Sequence, residues 1–258
     1  MQKCQDYIFK NINKVTFRHD ILLAHPKNIA FFNDFIIEEN IINNTSFNVQ
    51  KVIGTDHPDY VGKSWQECLE NLKRPRNLSS LRCDQNRPSI NYYMSDIQKE
   101  HWSVDIINDD IYITQGNHRT IISKFLSFLN ITPCEQKNIS FVRHIKYNRK
   151  SHRKFLKLYK TIQNLQDEME FFIQISVSKK QIREIENHKT YQTIYVCKIN
   201  TECSCYEENF VDFNEFKDFV FKQIRVFYKP KNIDDYLQVG IICFKKLRAK
   251  IMALFQED

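Results

Sequence analysis

Gly116, Asn117, His118 and Arg119 stand side by side in a chain that has only four glycines among 258 residues. Arg119 offers a planar fork of donors that matches a carboxylate or a phosphate. His118 can donate, accept or carry a proton near neutral pH. Gly116 permits a backbone conformation, or a close approach, that a side chain would block. With Gln115 before them and Thr120 after, these residues read as a seat for an anion, in which His118 and Arg119 stabilise charge on a transferred group. The plainer reading is a corner where His118 and Arg119 only cap and solvate.

Such a seat needs a tight turn from a strand into a helix, and the flanking residues supply both. Residues 104–107 and 111–114 are β-rich runs split by the turn formers Asn108, Asp109 and Asp110, which predicts a hairpin. From Thr120 onward Ile121, Ile122, Phe125, Leu126, Phe128 and Leu129 fall at helical spacing with a wide apolar stripe. Residues 115–119 then form the corner. The first amides of a helix have no intrahelical partner and the macrodipole adds positive charge there, so phosphate, carboxylate or sulfate is the natural guest.

The strand, the turn Gly116-Asn117-His118-Arg119 and the apolar helix resemble the signature of the ParB/sulfiredoxin-like superfamily. There the turn reads Gly-Glu-Arg-Arg, Gly-Cys-His-Arg or Asp-Gly-His/Gln-His-Arg. The resemblance spans residues 46–145 and implies that Gly116, Asn117, His118 and Arg119 hold nucleotide phosphates, with ATP or CTP as the nucleotide and Mg²⁺ beside it. Members include CTP-binding partition proteins, ATP-using sulfiredoxins, free-serine kinases and DNases. Position 117 is Asn where sulfiredoxins need a nucleophilic cysteine, which argues against sulfinic acid reduction. Asn117-His118 replaces the Glu-Arg of partition proteins, and Gln115 stands where several members carry Asp.

The superfamily order of strand, helix and strand before the hairpin can be matched by a strand at 50–54, a helix at 64–73 and a strand at 90–94. Ser64 with Glu67 three residues on forms a capping box for that helix. The triplet Gly62-Lys63-Ser64 is the end of no P-loop, because the required earlier glycine is His57. An acidic residue early in the domain acts on the metal or on the accepting hydroxyl in the superfamily. Asp56 and His57 are therefore the groups expected to face the nucleotide, with Asp59 behind them. Asp56 or Asp109 would carry a divalent ion, and His57 could act as a general base.

Net charge is +7 and is unevenly spread. Residues 146–160 include Lys146, Arg149, Lys150, Arg153, Lys154 and Lys157 with no acid among them, interleaved with Tyr147, Phe155 and Tyr159. This is a basic helix able to track a nucleic-acid backbone. Lys73, Arg74, Arg76, Arg82 and Arg87 make a second basic cluster. A solvated helix face or loop is the ordinary alternative for both.

Pro26 predicts the start of a helix with the stripe Ile29, Phe32, Phe35 and Ile36, ending near the Asn-rich residues 40–44. A strand at 139–145 completes the small sheet. Beyond it residues 171–177 read as β, 179–187 as helix, 191–199 as strand, and Asp212 with Glu215 caps a further helix. A last helix is expected at 233–255. The fold class is α+β: a small mixed sheet with helices, followed by a mostly helical C-terminal extension. Residues 1–45 are a helical lead-in, 46–150 the phosphate-binding core and 151–258 an accessory α+β region.

The apolar fraction of 42% is ample for a core. No run reaches the about 18 apolar residues of a membrane span, and the first residues lack a signal-peptide core, so no membrane partner and a cytoplasmic site are expected. The eight cysteines are dispersed with no Cys-x-x-Cys pair, and zinc on His188, Cys197, Cys203 and Cys205 would need unusual spacing. Three classes of function follow. One is a nuclease or a nucleotide-dependent hydrolase or phosphotransferase. The others are a DNA-binding partition or regulatory protein with nucleotide as ligand, and an interaction protein that keeps the fold without catalysis.

Overall fold

The computed structural model describes residues 4–72, 93, 99–131, 136–166, 172–200 and 204–227. Among the described residues there are nine strands: β1 (Leu23–Ala24), β2 (Ile36–Asn48), β3 (Val52–Thr55), β4 (Lys99–Ile107), β5 (Asp110–Gln115), β6 (Gln136–Tyr147), β7 (Phe172–Ile185), β8 (His188–Asn200) and β9 (Cys205–Phe210). The α-helices whose bounds fall within the described residues are α1 (Cys4–Asn11), α2 (Trp65–Glu70), α3 (Asn117–Phe128), α4 (Arg149–Gln166) and α5 (Phe213–Phe227). The strands form one mixed sheet in the order β1-β3-β5-β4-β6-β2-β8-β7, with β9 on β8.

The predicted hairpin is β4 and β5, antiparallel with Val104 opposite Ile113. Asn108 turns the chain at φ 56, in the left-handed region that Asn tolerates. β3 is parallel to β5, with Thr55 beside Ile113, and β1 is parallel to β3, with Ala24 beside Thr55. Three consecutive neighbours therefore end on the same side of the sheet, and the segments that leave them begin together. Gly54 makes this packing possible: a Cβ there would lie 2.4 Å from the Leu23 carbonyl oxygen and 2.7 Å from the Tyr112 ring.

The chain divides into two compact units, Met1–Tyr147 with Gln181–Tyr191, and Asn148–Lys180 with Gln192–Asp258. The core of the first gathers Trp65, Trp102, Ile113 and Phe125, all at most 2% exposed. The apolar stripe of α3 supplies Ile121, Ile122, Phe125 and Leu126 to it. In the second unit α4 and α5 are joined by rings: Tyr195 stacks on Phe216 at 5.3 Å and Phe155 lies 6.4 Å from Phe216.

Several expectations are corrected. The sheet is large rather than small. The helix expected from Pro26 is two short 3-10 turns, Pro26–Asn28 and Phe32–Phe35, separated by Phe31 at φ 62, which interrupts helical hydrogen bonding. The Asn-rich residues 40–44 lie inside β2, held by pairing with β6 along its length. The strand expected at 50–54 begins at Val52, because Asn48 caps a 3-10 turn over Val49–Lys51. Residues 179–187, expected to be helical, are the end of β7 and a tight turn at Glu186, whose φ is 51. The described part of 151–258 is therefore not mostly helical. The basic cluster at 73–87 and the helix at 233–255 lie outside the described residues. So does the strand at 90–94, save Tyr93, which is helical and buried.

Candidate functional site

At the end of β5 the chain enters α3 through Gly116, whose φ is 82. The glycine is required twice over, since a Cβ would also meet the Trp102 ring at 2.6 Å. No side chain caps the start of α3, and no acid stands in its first turn. Thr120, expected on a phosphate, is corrected by its surroundings. It is fully buried, and its hydroxyl accepts from Trp102 Nε1 at 2.8 Å and donates to the Gly116 carbonyl at 3.2 Å. Gln115 is exposed at the end of β5.

The loop after β3 comes to this corner. Thr55 Oγ1 donates to Asn117 Oδ1 at 2.6 Å, and both residues are buried. The Tyr60 hydroxyl and His118 Nε2 are 2.5 Å apart. His57 packs its ring on Tyr60 at 5.0 Å and has Nδ1 3.6 Å from an Asp59 carboxylate oxygen. Asp56 donates its backbone N–H to the Ile113 carbonyl, and its carboxylate lies 2.7 Å from Lys27 Nζ. Asp56 and His57 thus stand on the loop that meets the turn 115–119 through Thr55 and Tyr60. Lys27, Thr55 and Tyr60 join them without having been singled out. Their signal is weak in sequence: Lys27 follows Pro26 in a segment that reads as helix, and Tyr60 closes the polar loop begun by Asp56.

Lys27 is positioned by a buried network. His25 is fully buried; its backbone N–H donates to the Thr55 carbonyl, and its Nδ1 accepts from the Lys27 N–H at 3.0 Å. That leaves Nε2 as the protonated nitrogen, 2.9 Å from Asp105 Oδ2. Arg143 grips the same carboxylate with Nε at 3.0 Å from Oδ1 and Nη2 on Oδ2, and reaches Glu39 at 3.5 Å. Burial opposes ionisation of Asp105. The hydrogen bonds from His25 and Arg143 and the charge of Arg143 outweigh it, and hold the carboxyl below the usual carboxylate range.

For the implied Mg²⁺ the corner offers one of the two expected carboxylates, Asp56, and that carboxylate is already paired with Lys27. Asp109, the other, precedes β5 and lies at the opposite end of that strand from the corner. Among the described residues no three His, Cys, Asp or Glu side chains converge as a metal set. Cys197 faces Glu208 and Cys205 faces Asn200 in the β8–β9 register, which separates the thiols of the zinc reading; Cys203 lies outside the described residues.

The basic segment splits in two. Lys146 belongs to β6 and pairs with Glu38 at 2.9 Å, which corrects its place on the helix. On α4 Arg149, Lys150, Arg153, Lys157 and Lys160 are exposed and Lys154 is half-buried, while His152, Phe155, Leu158 and Ile162 are at most 2% exposed. The period of 3.6 residues thus sorts cations to water and rings to the core.

No family model, no curated protein and no solved structure matches this chain. Among the described residues no helix is long and apolar enough to cross a membrane.

Proposed function

We propose that this chain binds a phosphate group of a nucleotide or a nucleic acid at the corner between β5 and α3. One observation carries the reading: an uncapped helix start at the carboxyl ends of parallel strands, with Lys27 and Asp56 after β1 and β3, and Asn117, His118 and Arg119 after β5. Crevices at such strand ends are where ligands sit in open mixed sheets. In this reading the first amides of α3 and the Arg119 guanidinium bind the phosphate oxygens. The Tyr60–His118 pair is the group that can move a proton at that phosphate, as hydrolysis or transfer by a ParB/sulfiredoxin-like enzyme would need. The order strand, capped helix, hairpin, turn and helix supports that superfamily reading, whereas Tyr93, in the strand expected between helix and hairpin, is helical.

The test is a thermal-shift panel of ATP, ADP, CTP, GTP and AMP, because a ligand that binds only the folded state raises the midpoint by mass action. A shift with one nucleotide that Arg119→Ala abolishes supports the site. No shift with any of them sinks it.

A second reading, DNA binding of partition or regulatory type, is favoured by the exposed cationic face of α4. Five or six phosphate contacts would give a log–log salt slope of about −5. Replacing Arg153 and Lys157 together by Gln should reduce that slope by about 2. A slope that both substitutions leave unchanged removes α4 from the interface.

A further inference from the structure

Nucleotide sites that use Mg²⁺ hold it by one or two carboxylates together with phosphate oxygens. At the end of β3 the carboxylate in that position is Asp56, and it already carries a unit positive charge from Lys27 at 2.7 Å. Asp59 is turned to His57. Asp109 is at the other end of β5. A divalent ion on Asp56 would have to displace the ammonium and then sit beside it, with like charges repelling at contact distance.

Lys27 is no casual surface lysine. Its side chain is 42% exposed, but its backbone is anchored in a turn whose His25 is locked to Thr55 and Asp105. An ammonium has three donors, and one of them serves Asp56. Among the described residues Asp56 is the ammonium's one acceptor, so two donors remain for an anion.

We infer that Lys27, in the place of a divalent cation, is the positive charge that meets the phosphate at the end of β3, so that the site takes a metal-free phosphate group. The inference rests on the phosphate reading above. Asp56 then orients Lys27 and competes with the incoming anion for it, so it is a positioning residue.

The experiment is a calorimetric titration of the full chain with inorganic phosphate, once in EDTA and once in Mg²⁺. Equal affinity in the two buffers is expected. Lys27→Ala should weaken binding about tenfold, and Lys27→Arg, which keeps the charge, should restore most of it. Asp56→Asn should tighten binding, because the competing carboxylate is gone. Binding that appears only with Mg²⁺, or that Asp56→Asn abolishes, overturns the inference and leaves the phosphate reading standing. No binding of phosphate by the wild-type chain in either buffer sinks both.

Discussion

The Lys124 ammonium lies 4.3 Å over the ring of Trp65, in the core of the first unit. It donates to the carbonyls of Gln50 and Val52 at 2.9 and 2.8 Å and has no carboxylate in contact among the described residues. Burial pushes its pKa down to about 8 from 10.5, with the charge of Asp20 opposing. The unfolded chain therefore holds this proton between those values while the folded chain releases it, and stability rises with pH across that window. The gain should reach about 3 kcal/mol. Denaturant midpoints of wild type and Lys124→Met, compared at both ends of the window, isolate it: the difference between the two proteins should change with pH by that amount.

Asp105 has the opposite sign. Its folded pKa lies below the usual 3.8, so its contribution is present above that value and is lost as pH falls through the folded one. Asp105→Asn removes the carboxylate that Arg143 grips most closely, leaves the half-buried guanidinium with Glu39 at 3.5 Å, and should destabilise by about 3 kcal/mol at neutral pH. Urea unfolding would show it, and an effect under about 1 kcal/mol would mean that the network does little.

Gly116→Ala combines a left-handed backbone with a Cβ 2.6 Å from Trp102. The expected loss is about 2–4 kcal/mol. Because Trp102 is buried against this corner, its fluorescence should shift in the folded variant. An unchanged denaturation midpoint would refute the packing described.

Burial pushes the Cys68 thiol up to about 11 and the Cys197 thiol up to about 12, and neither is accessible. Cys205 is exposed. A thiol reagent on the native protein should mark Cys205 and spare the other two, as peptide mapping would reveal. Labelling of Cys197 at the same rate would show that β8 opens.

The corner was legible because Gly116, the hairpin turn at Asn108 and the stripe of α3 are local signals, each set by a few adjacent residues. β2 was not. Its Asn-rich middle shows no alternation, since its pairing with β6 and not its own propensity holds it extended. Residues 179–187 failed for a related reason: both faces of the hairpin end are exposed, so no period of two is written there. Lys27 entered the site only through the parallel pairing of β1 with β3, and His25 meets Asp105 across 80 positions of sequence. Contacts of that range leave no periodic trace.

The pairing of β2 with β6 also bears on how the chain is made. Glu39 meets Arg143, 104 positions later, and Tyr191, 152 positions later. On the ribosome Glu39 must wait 104 positions before the first of these partners exists. Loops of that length slow the closing of a sheet. The edge of β2 therefore stays open until β6 is made, and closing this sheet should be slower than closing one built from local contacts.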